Sequence, residues 1–569
     1  MRPRKPIRKV AVPALLVVAA FLLLFSGGRP VHAAPITVNS AADVIADDGV
    51  CTLREAITAA NTDTALGATP GECPAGSGAD TITVPAGTYT LSIPGADEDA
   101  NASGDLDITA DLTINGAGAA ATIIDGAALD RVFHIAGVTV EISGATIQNG
   151  LSYGGGIFNG GTLTLNDSTV SGNTSAVGGG MLNGSNSGAT LTNVTFSGNT
   201  AQYGGGMDNG GVSTLTNVTF SGNSSPFWGG GRGGGMRNYY GSIATLTNVT
   251  FSGNSSANYG GGMYNGSSGT TLTNVTFSGN SSRWGGGMLN SSGIGATLTN
   301  VTFSGNTAQY GGGIYGGVST LTNVTFSGNT AQYGGGIYGG VSTLKNTIVA
   351  NNSPNDCAGS ITSAGHNLSS DASCGFTAPG DLQNADPLLG LLADNGGLTQ
   401  THALLAGSPA IDAGSPDCPP PATDQRGVAR PQGAACDIGA FELVSDSDGD
   451  GIPDSLDSCP LEDSRGFDAD NNGCIDRISD LHSLFDTLYT EGAIDGTMYN
   501  SLNAKIDAAV AARTRENICA AVNVLGALKN QVEAQRGKKV SEEAAALLFP
   551  FITNVQNYML IATGVNSCS

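Results

Sequence analysis

The amino-acid sequence predicts a mainly β fold: a right-handed parallel β-helix that gives way, toward its C-terminal end, to an acidic loop segment and a small α-helical bundle. Three observations carry this. Between Thr192 and Asn329 the octet T-N-V-T-F-S-G-N recurs six times, each copy followed by a tail ending in G-G-G-M or G-G-G-I. Residues 446–457 then set aspartates at nearly every second position. From residue 478 onward the apolar residues recur with the spacing of a helix instead of a strand.

The repeat comes first. Phe196, Phe220, Phe251, Phe277, Phe303 and Phe326 lie 24, 31, 26, 26 and 23 residues apart, with Ile147, Val170 and Val349 standing in the same place in degenerate copies. A period in the twenties means stacked units that share one continuous core. Within Thr190–Asn199 the run Val-Thr-Phe-Ser alternates with period two, so Val194 and Phe196 share one face. Asn193 falls where the alternation slips and Gly198-Asn199 where it stops, both turn signals. Tyr203-Gly-Gly-Gly-Met207 marks another corner and sends Met207 inward. Each repeat therefore holds three short strands, and each coil stacks on the last at about 4.8 Å. Phe should lie over Phe, and corner Asn over corner Asn with their amides bonded along the axis. A disordered tract would not keep these residues in register, and propeller blades need about 40 residues or more.

The chain opens on Arg2, Arg4, Lys5, Arg8 and Lys9, then an apolar run from Val10 to Phe25, then Val31-His32-Ala33. This is the pattern of a secretory signal peptide over 1–33, cut after Ala33. Removing those residues, with six Lys/Arg and no acids, takes the formal charge from −24 to −30. A chain that acidic will not attract nucleic acid through its overall field. No transmembrane segment is expected once the signal is removed, and the protein is expected to be secreted, extracellular or held at the cell surface. Ten cysteines in that setting pair by neighbourhood: Cys51–Cys73, Cys357–Cys374, Cys418–Cys436, Cys459–Cys474 and Cys519–Cys568.

Residues 34–110 are read as an N-terminal cap and first strands. Cys51-Thr-Leu-Arg-Glu-Ala-Ile57 predicts a short amphipathic helix with Leu53, Ile57 and Ala60 on one face, a plug for the open end of the coil. Arg54 and Glu55 are expected to form a surface ion pair on it. The motif resembles the CSLREA segment of secreted bacterial β-helix proteins, with Thr52 as a departure. Residues 111–380 are the coils. Their paired F-S-G-N and G-G-G-[MI] motifs resemble chlamydial polymorphic membrane protein repeats, which have Ala where this chain has its third Gly. That resemblance implies surface exposure and adhesion.

Residues 381–443, with Asp386-Pro-Leu-Leu-Gly390, Gly407-Ser-Pro-Ala-Ile-Asp412 and Asp437-Ile-Gly-Ala-Phe-Glu442, look like a choice-of-anchor Q region. It is expected to close the C-terminal end of the coil, with His402 in a structural role. Residues 444–477 form the ligand segment. Asp446, Asp448, Asp450, Asp454 and Asp457 occupy loop positions 1, 3, 5, 9 and 12, Gly451 holds position 6, and Ile452 offers its carbonyl at 7. This oxygen-rich spacing suits Ca²⁺, and the crowded carboxylates need a cation to offset their repulsion. A second set comprises Asp468, Asp470, Asn472 and Asp476, with the carbonyl of Cys474; its twelfth position is Ser479, and Asp480 lies one residue off. With the bracketing Cys459 and Cys474, the segment resembles thrombospondin type 3 repeats. Residues 478–569 predict helices around Leu481–Leu488, Leu502–Val510, Ile518–Val532 and Ala544–Val555, with Ser541 as an N-cap. They resemble the FIMAH module of extracellular bacterial proteins through Ser501–Asp507 and Gln531–Lys539.

Between Leu151 and Ala350 the charged residues are Asp167, Asp208, Arg232, Arg237, Arg283 and Lys345. Paired-carboxylate hydrolysis needs two acids close together, and these two are 41 residues apart. The outward face reads as Thr, Ser and Asn, a surface with little chemistry. The sequence thus points to a non-catalytic, adhesin-like or structural calcium-binding protein. The alternative is a carbohydrate-active β-helix, lyase or hydrolase, with its site around Asp105, Asp107 and Asp125. Pro226–Tyr240, with Trp228, Arg232 and Tyr239, is the irregular loop expected to contact a surface glycan or protein.

Overall fold

The computed structural model describes residues 35–568, except 97, 228, 229, 240, 318, 445, 451, 453, 455, 456, 566 and 567. The signal segment 1–33, Gly451 and Trp228 therefore lie outside the described residues. The chain divides into two compact units, one of residues up to 430 with 435–442 and one of 431–434 with 443–569.

The first unit is the β-helix. Every pairing along the stack is parallel, from Ile36–Thr37 on Asp80–Val84 to Ile348–Ala350 on Leu368–Ser369. A typical coil runs Met207–Asn209, Val212–Thr216 and Thr219–Ser221, the three expected strands. A fourth short strand, such as Thr200–Tyr203, is added in some coils and builds a separate parallel sheet; the three-strand expectation missed it.

Register is strict because each coil repeats the same inward set. Met207, Leu215, Val218 and Phe220 are fully buried, and their counterparts one coil on are Met236, Leu246, Val249 and Phe251. The Phe rings stack at 4.9, 4.8, 4.7, 4.7 and 4.6 Å with planes within 8° of parallel. Each such burial contributes about 1.5–3 kcal/mol. The F-S-G-N asparagines form the expected ladder: Asn199 Nδ2 donates to Asn223 Oδ1, Asn223 to Asn254, and so on to Asn352. A second ladder climbs Asn159, Asn183, Asn209, Asn238, Asn265 and Asn290. Asn193 and its counterparts sit in the left-handed region at φ near +55°, where Asn is tolerated best after Gly. The third glycine of G-G-G has its own cause. A Cβ on Gly206 would lie 2.6 Å from the Gly235 carbonyl and 2.8 Å from the Phe220 ring.

The N-terminal end carries helix α1 (Leu53–Thr62), as expected. Thr52 is its N-cap in a capping box with Glu55, so the residue that departs from the CSLREA pattern does specific work. The surface pair expected of Arg54 and Glu55 is not found. Both are buried: Arg54 pairs with Asp43 at 2.6 Å, while Glu55 accepts the amides of Thr52 and Ala46. The helix end is packed too deeply for either side chain to stay in water.

Residues 386–442 do not simply close the far end. They run back along the coils, over the Thr column of V-T-F. Thr276 donates to Gln400 O, Thr302 to Gln425 Oε1, and Thr325 Oγ1 accepts from Ala440 N. Those three threonines are buried, while Thr195, Thr219 and Thr250 in uncovered coils stay half-exposed. Arg430 and Glu442, both with fully buried side chains, pair at 3.0 Å inside this cover.

The second unit holds the acidic loops and four helices: α2 (Asp480–Thr490), α3 (Gly496–Thr514), α4 (Ile518–Gln535) and α5 (Glu542–Thr563). Asp495, Asn517 and Ser541 cap the last three. Leu481, Phe485, Leu502, Ile506, Leu525 and Leu548 meet in its core. Helix α5 is long and apolar enough to cross a membrane by length and composition. Its Leu548, Phe551, Ile552 and Val555 are instead buried in the bundle. All five cysteine pairs form as their neighbourhoods suggested.

Candidate metal centre

The acidic loops belong to the second unit, and the chain folds there through Asx turns. Asp446 Oδ1 accepts from Gly449 N, Asp448 Oδ1 from Asp450 N, and Asp450 Oδ1 from Ile452 N. Each bond curls the loop by a few residues and aims the carboxylates at one point. Asp446, Asp448 and Asp450 thereby bring ligand oxygens within 4.8 Å of one another. Asp454 is drawn off: both its oxygens accept from Ser447, at 2.8 Å each. Asp457 is buried; its Oδ1 accepts from Cys459 N while its Oδ2 is buried without a partner. Asp448 Oδ2 is buried and unpartnered as well. Burial, with Asp450 and Asp457 close by, pushes the Asp448 carboxyl up.

The second loop gathers Asp468, Asp470 and Asp476 within the same 4.8 Å. Asn472 folds across them, its Nδ2 donating to Asp470 and its backbone N–H to Asp468. Asp476 is buried, and desolvation raises its carboxyl to about 7 against the bonds from Asn554 and Ala469. Asp470 moves up for the same reason, with Asp468 adding to it. Asp480 is turned away and accepts from Arg477 N, while Ser479 donates to Asp480. Cys459–Cys474 ties the two loops. Two buried carboxylate oxygens without partners, surrounded by further carboxylates, match a hard cation's demand for oxygen ligands.

Elsewhere the candidate acids are differently placed. Asp105 and Asp107 have buried side chains. Desolvation raises Asp105 to about 7 although Arg131 bonds it. Asp107 receives the Asn101 amide and faces His134 Nδ1 at 2.9 Å. Asp125 sits on a different strand of its coil, bonded to Gln148 and Asn149, so the three acids do not form one constellation. His134 was missed in the sequence; with Asp99 and Asp107 it makes a third group that could hold a metal ion. In the coils, Asp208 is buried against Arg237 at 2.5 Å and Asp167 accepts from Asn193. His402 bonds Gly390 O and Ser304 Oγ, fastening the cover to the coils.

Two stretches match known families. Residues 180–353 match the right handed beta helix region, and residues 478–550 match the FIMAH domain. No curated protein and no solved structure matches the chain. The protein is thus a β-helix with a C-terminal FIMAH-like domain, and the acidic loops lead directly into that domain. Asp476 is bonded by Asn554 of α5, and Phe467 packs edge-on against Tyr558 of the same helix at 5.8 Å. The FIMAH-like helices therefore hold one wall of the second loop.

Proposed function

We propose that this is a secreted or cell-surface calcium-binding β-helix protein with an adhesin-like or structural role. The observation that carries the calcium part is the pair of buried, unpartnered oxygens on Asp448 and Asp457. A carboxylate oxygen left buried without a donor costs free energy that a bound Ca²⁺ would remove. Asp446, Asp448, Asp450 and Asp457 would hold one ion, with the Ile452 carbonyl; Asp468, Asp470, Asn472 and Asp476 would hold a second. The ion would supply charge neutralisation that fixes the loops. The resemblance to thrombospondin type 3 repeats supports the same reading.

The structural or adhesive part draws on the coils. Between Leu151 and Ala350 two asparagine ladders run through the buried corners, and the two acids, Asp208 and Asp167, are engaged by Arg237 and Asn193. The repeats resemble those of surface-exposed proteins, and the CSLREA-like and choice-of-anchor Q-like segments belong with export. The domain scheme that follows is signal 1–33, cap 34–110, coils 111–380, cover 381–443, calcium segment 444–477 and helical module 478–569. Calorimetry of the full chain with Ca²⁺ tests the metal sites: heat of binding weakened by Asp450→Ala is expected, and no heat would remove the calcium role. Antibody labelling of intact cells tests location; a protein confined to the cytoplasm would end the surface reading.

A further inference from the structure

One face of the coils departs from the Thr/Ser/Asn surface. The residue just before each G-G-G forms a column, Tyr203, Arg232, Tyr259, Trp284, Tyr310 and Tyr333, joined in parallel register. The residue after the following Met or Ile forms a second: Arg237, Tyr264, Leu289, Tyr315 and Tyr338. The rings stack along the axis. Tyr259 lies 4.9 Å from Trp284, Tyr310 lies 5.2 Å from Tyr333 and Tyr315 lies 5.5 Å from Tyr338, all within 14° of parallel. Apart from the exposed Tyr333, these rings are half-buried, so the stacks hold each ring in place and leave part of it to solvent. Ordered rings lose little freedom when a ligand lands on them.

The short side chain at Leu289 leaves a slot of about 260 Å³ lined by Tyr259, Tyr264, Tyr315, Ser291 and Arg232. The Arg232 guanidinium lies 5.3 Å from the Tyr264 ring and 5.7 Å from the Tyr259 ring, and its Nε is buried with no hydrogen-bond partner. Arg237 is different, since Asp208 neutralises it. Arg283 lies over Trp284 at 4.2 Å and gives Nε to Gln309. Arg232 and Arg283 belong to coils ending in Met236 and Met288, with the neutral coil of Met263 between them. The residue in register with Arg232 two coils on is Trp284, and Arg283 precedes it by one position, so the two cations stand on alternate coils with Arg283 offset by one residue along its strand.

We propose that this face binds a linear glycan in which carboxylate-bearing sugars alternate with neutral ones, its carboxylates meeting Arg232 and Arg283 and its sugars lying along the exposed edges of the Tyr259, Trp284 and Tyr310 stack. This rests on the adhesive reading above and names its ligand. The ring edges carry Tyr hydroxyls and the Trp N–H, which suit sugar hydroxyls together with the Ser, Asn and Gln rim. One disaccharide spans roughly two coils, which matches cations on alternate coils. A nucleic acid is the poorer fit: it carries a charge on every unit and needs a continuous row of cations, and the chain's net charge is −24. The same negative charge opposes any acidic polymer, so binding depends on the two local cations.

The test uses the full chain and three probes: a hyaluronan octasaccharide (alternating acidic and neutral sugars), cellohexaose and a single-stranded thymidine oligonucleotide. Calorimetry should show the octasaccharide bound most tightly. Trp284→Ala and Arg232→Gln should each weaken it by about tenfold or more. Arg232→Gln removes no protein hydrogen bond at Nε, so it remains informative if Trp284→Ala misfolds. Absence of octasaccharide binding, equal binding of cellohexaose, tighter binding of the oligonucleotide, or affinities unmoved by Arg232→Gln would each overturn the proposal. Adhesion of the wild-type protein to cells with no glycan affinity would sink this inference and leave the adhesive reading standing.

Discussion

Asn223 gives both its backbone N–H and its side-chain Nδ2 to a single atom, Oδ1 of Asn254, at 3.0 Å each. Asn254 in turn gives its own N–H and Nδ2 to Asn280 Oδ1, and its Nδ2 also reaches Phe220 O. Every rung thus satisfies a corner of its own coil and the next. Asn254→Ala would take the shared acceptor from the N–H and Nδ2 of Asn223 and the Nδ2 donor from Phe220 O and Asn280 Oδ1 in a buried site, while the residue-254 N–H stays on Asn280 Oδ1. A buried group that loses its partner costs about 1–3 kcal/mol. We expect at least that loss in urea unfolding of the β-helix, and a smaller one for Asn248→Gly, which keeps the left-handed backbone and removes a rung of a half-exposed ladder. Equal losses at the two positions would contradict the role assigned to burial.

The Phe column should respond to volume. Phe251 is fully buried between Phe220 and Phe277. Phe251→Ala is expected to cost about 3–5 kcal/mol, and Phe251→Leu distinctly less because it refills most of the cavity. Equilibrium denaturation of both variants checks this; a loss for Phe251→Leu as large as for Phe251→Ala would mean that ring stacking, not filled volume, sets the stability.

Much of this was legible in the sequence because repetition multiplies weak signals. One T-N-V-T-F-S-G-N octet says little, while six in register fix the Phe column and the Asn ladder. The cover was legible as a segment but not in its course, because Gln425 and Gln400 reach threonines more than a hundred residues earlier. No local pattern encodes such a contact. Arg54 and Glu55 misled because charge on a helix reads as exposure, and burial with Asp43 shows only in three dimensions. The aromatic row was visible at the position before each G-G-G. It was overlooked because its residue type varies, Tyr, Arg or Trp, and only register unites it. In the metal loops, spacing identified the acids, while the diversion of Asp454 to Ser447 depends on turn geometry.

Acid should loosen the cover through His402. The Gly390 carbonyl can only accept, so Nδ1 carries the proton and Nε2 accepts from Ser304. Burial holds the His402 pKa below its ordinary value, against the pull of the Gly390 bond. A group with a depressed folded pKa contributes stability that is complete above the unfolded value of about 6.5 and is lost as pH falls through the folded one. The wild-type melting temperature should therefore fall more between pH 7 and pH 5 than that of His402→Gln. Parallel pH profiles for the two proteins would rule out His402 as the group responsible.

Calcium should stabilise the second unit more than the coils. An ion that binds only the folded loops adds RT ln(1 + [L]/Kd), about 2.7 kcal/mol at a hundredfold excess over Kd. The gain should appear as a raised melting transition for the helices, because Asp476 is tied to Asn554 on α5 and Phe467 packs on Tyr558. A chelator should reverse it without moving the transition of the β-helix. Asp448→Asn tests the first loop: it keeps the shape, removes charge and offers a donor where Oδ2 is now buried and unpartnered. It should raise the stability of the calcium-free protein and abolish part of the response to Ca²⁺. These two effects have opposite sign, which separates loss of a ligand from general damage to the loop. If Asp448→Asn lowers stability without Ca²⁺ and leaves the Ca²⁺ response intact, the crowded carboxylates are not held apart for a cation.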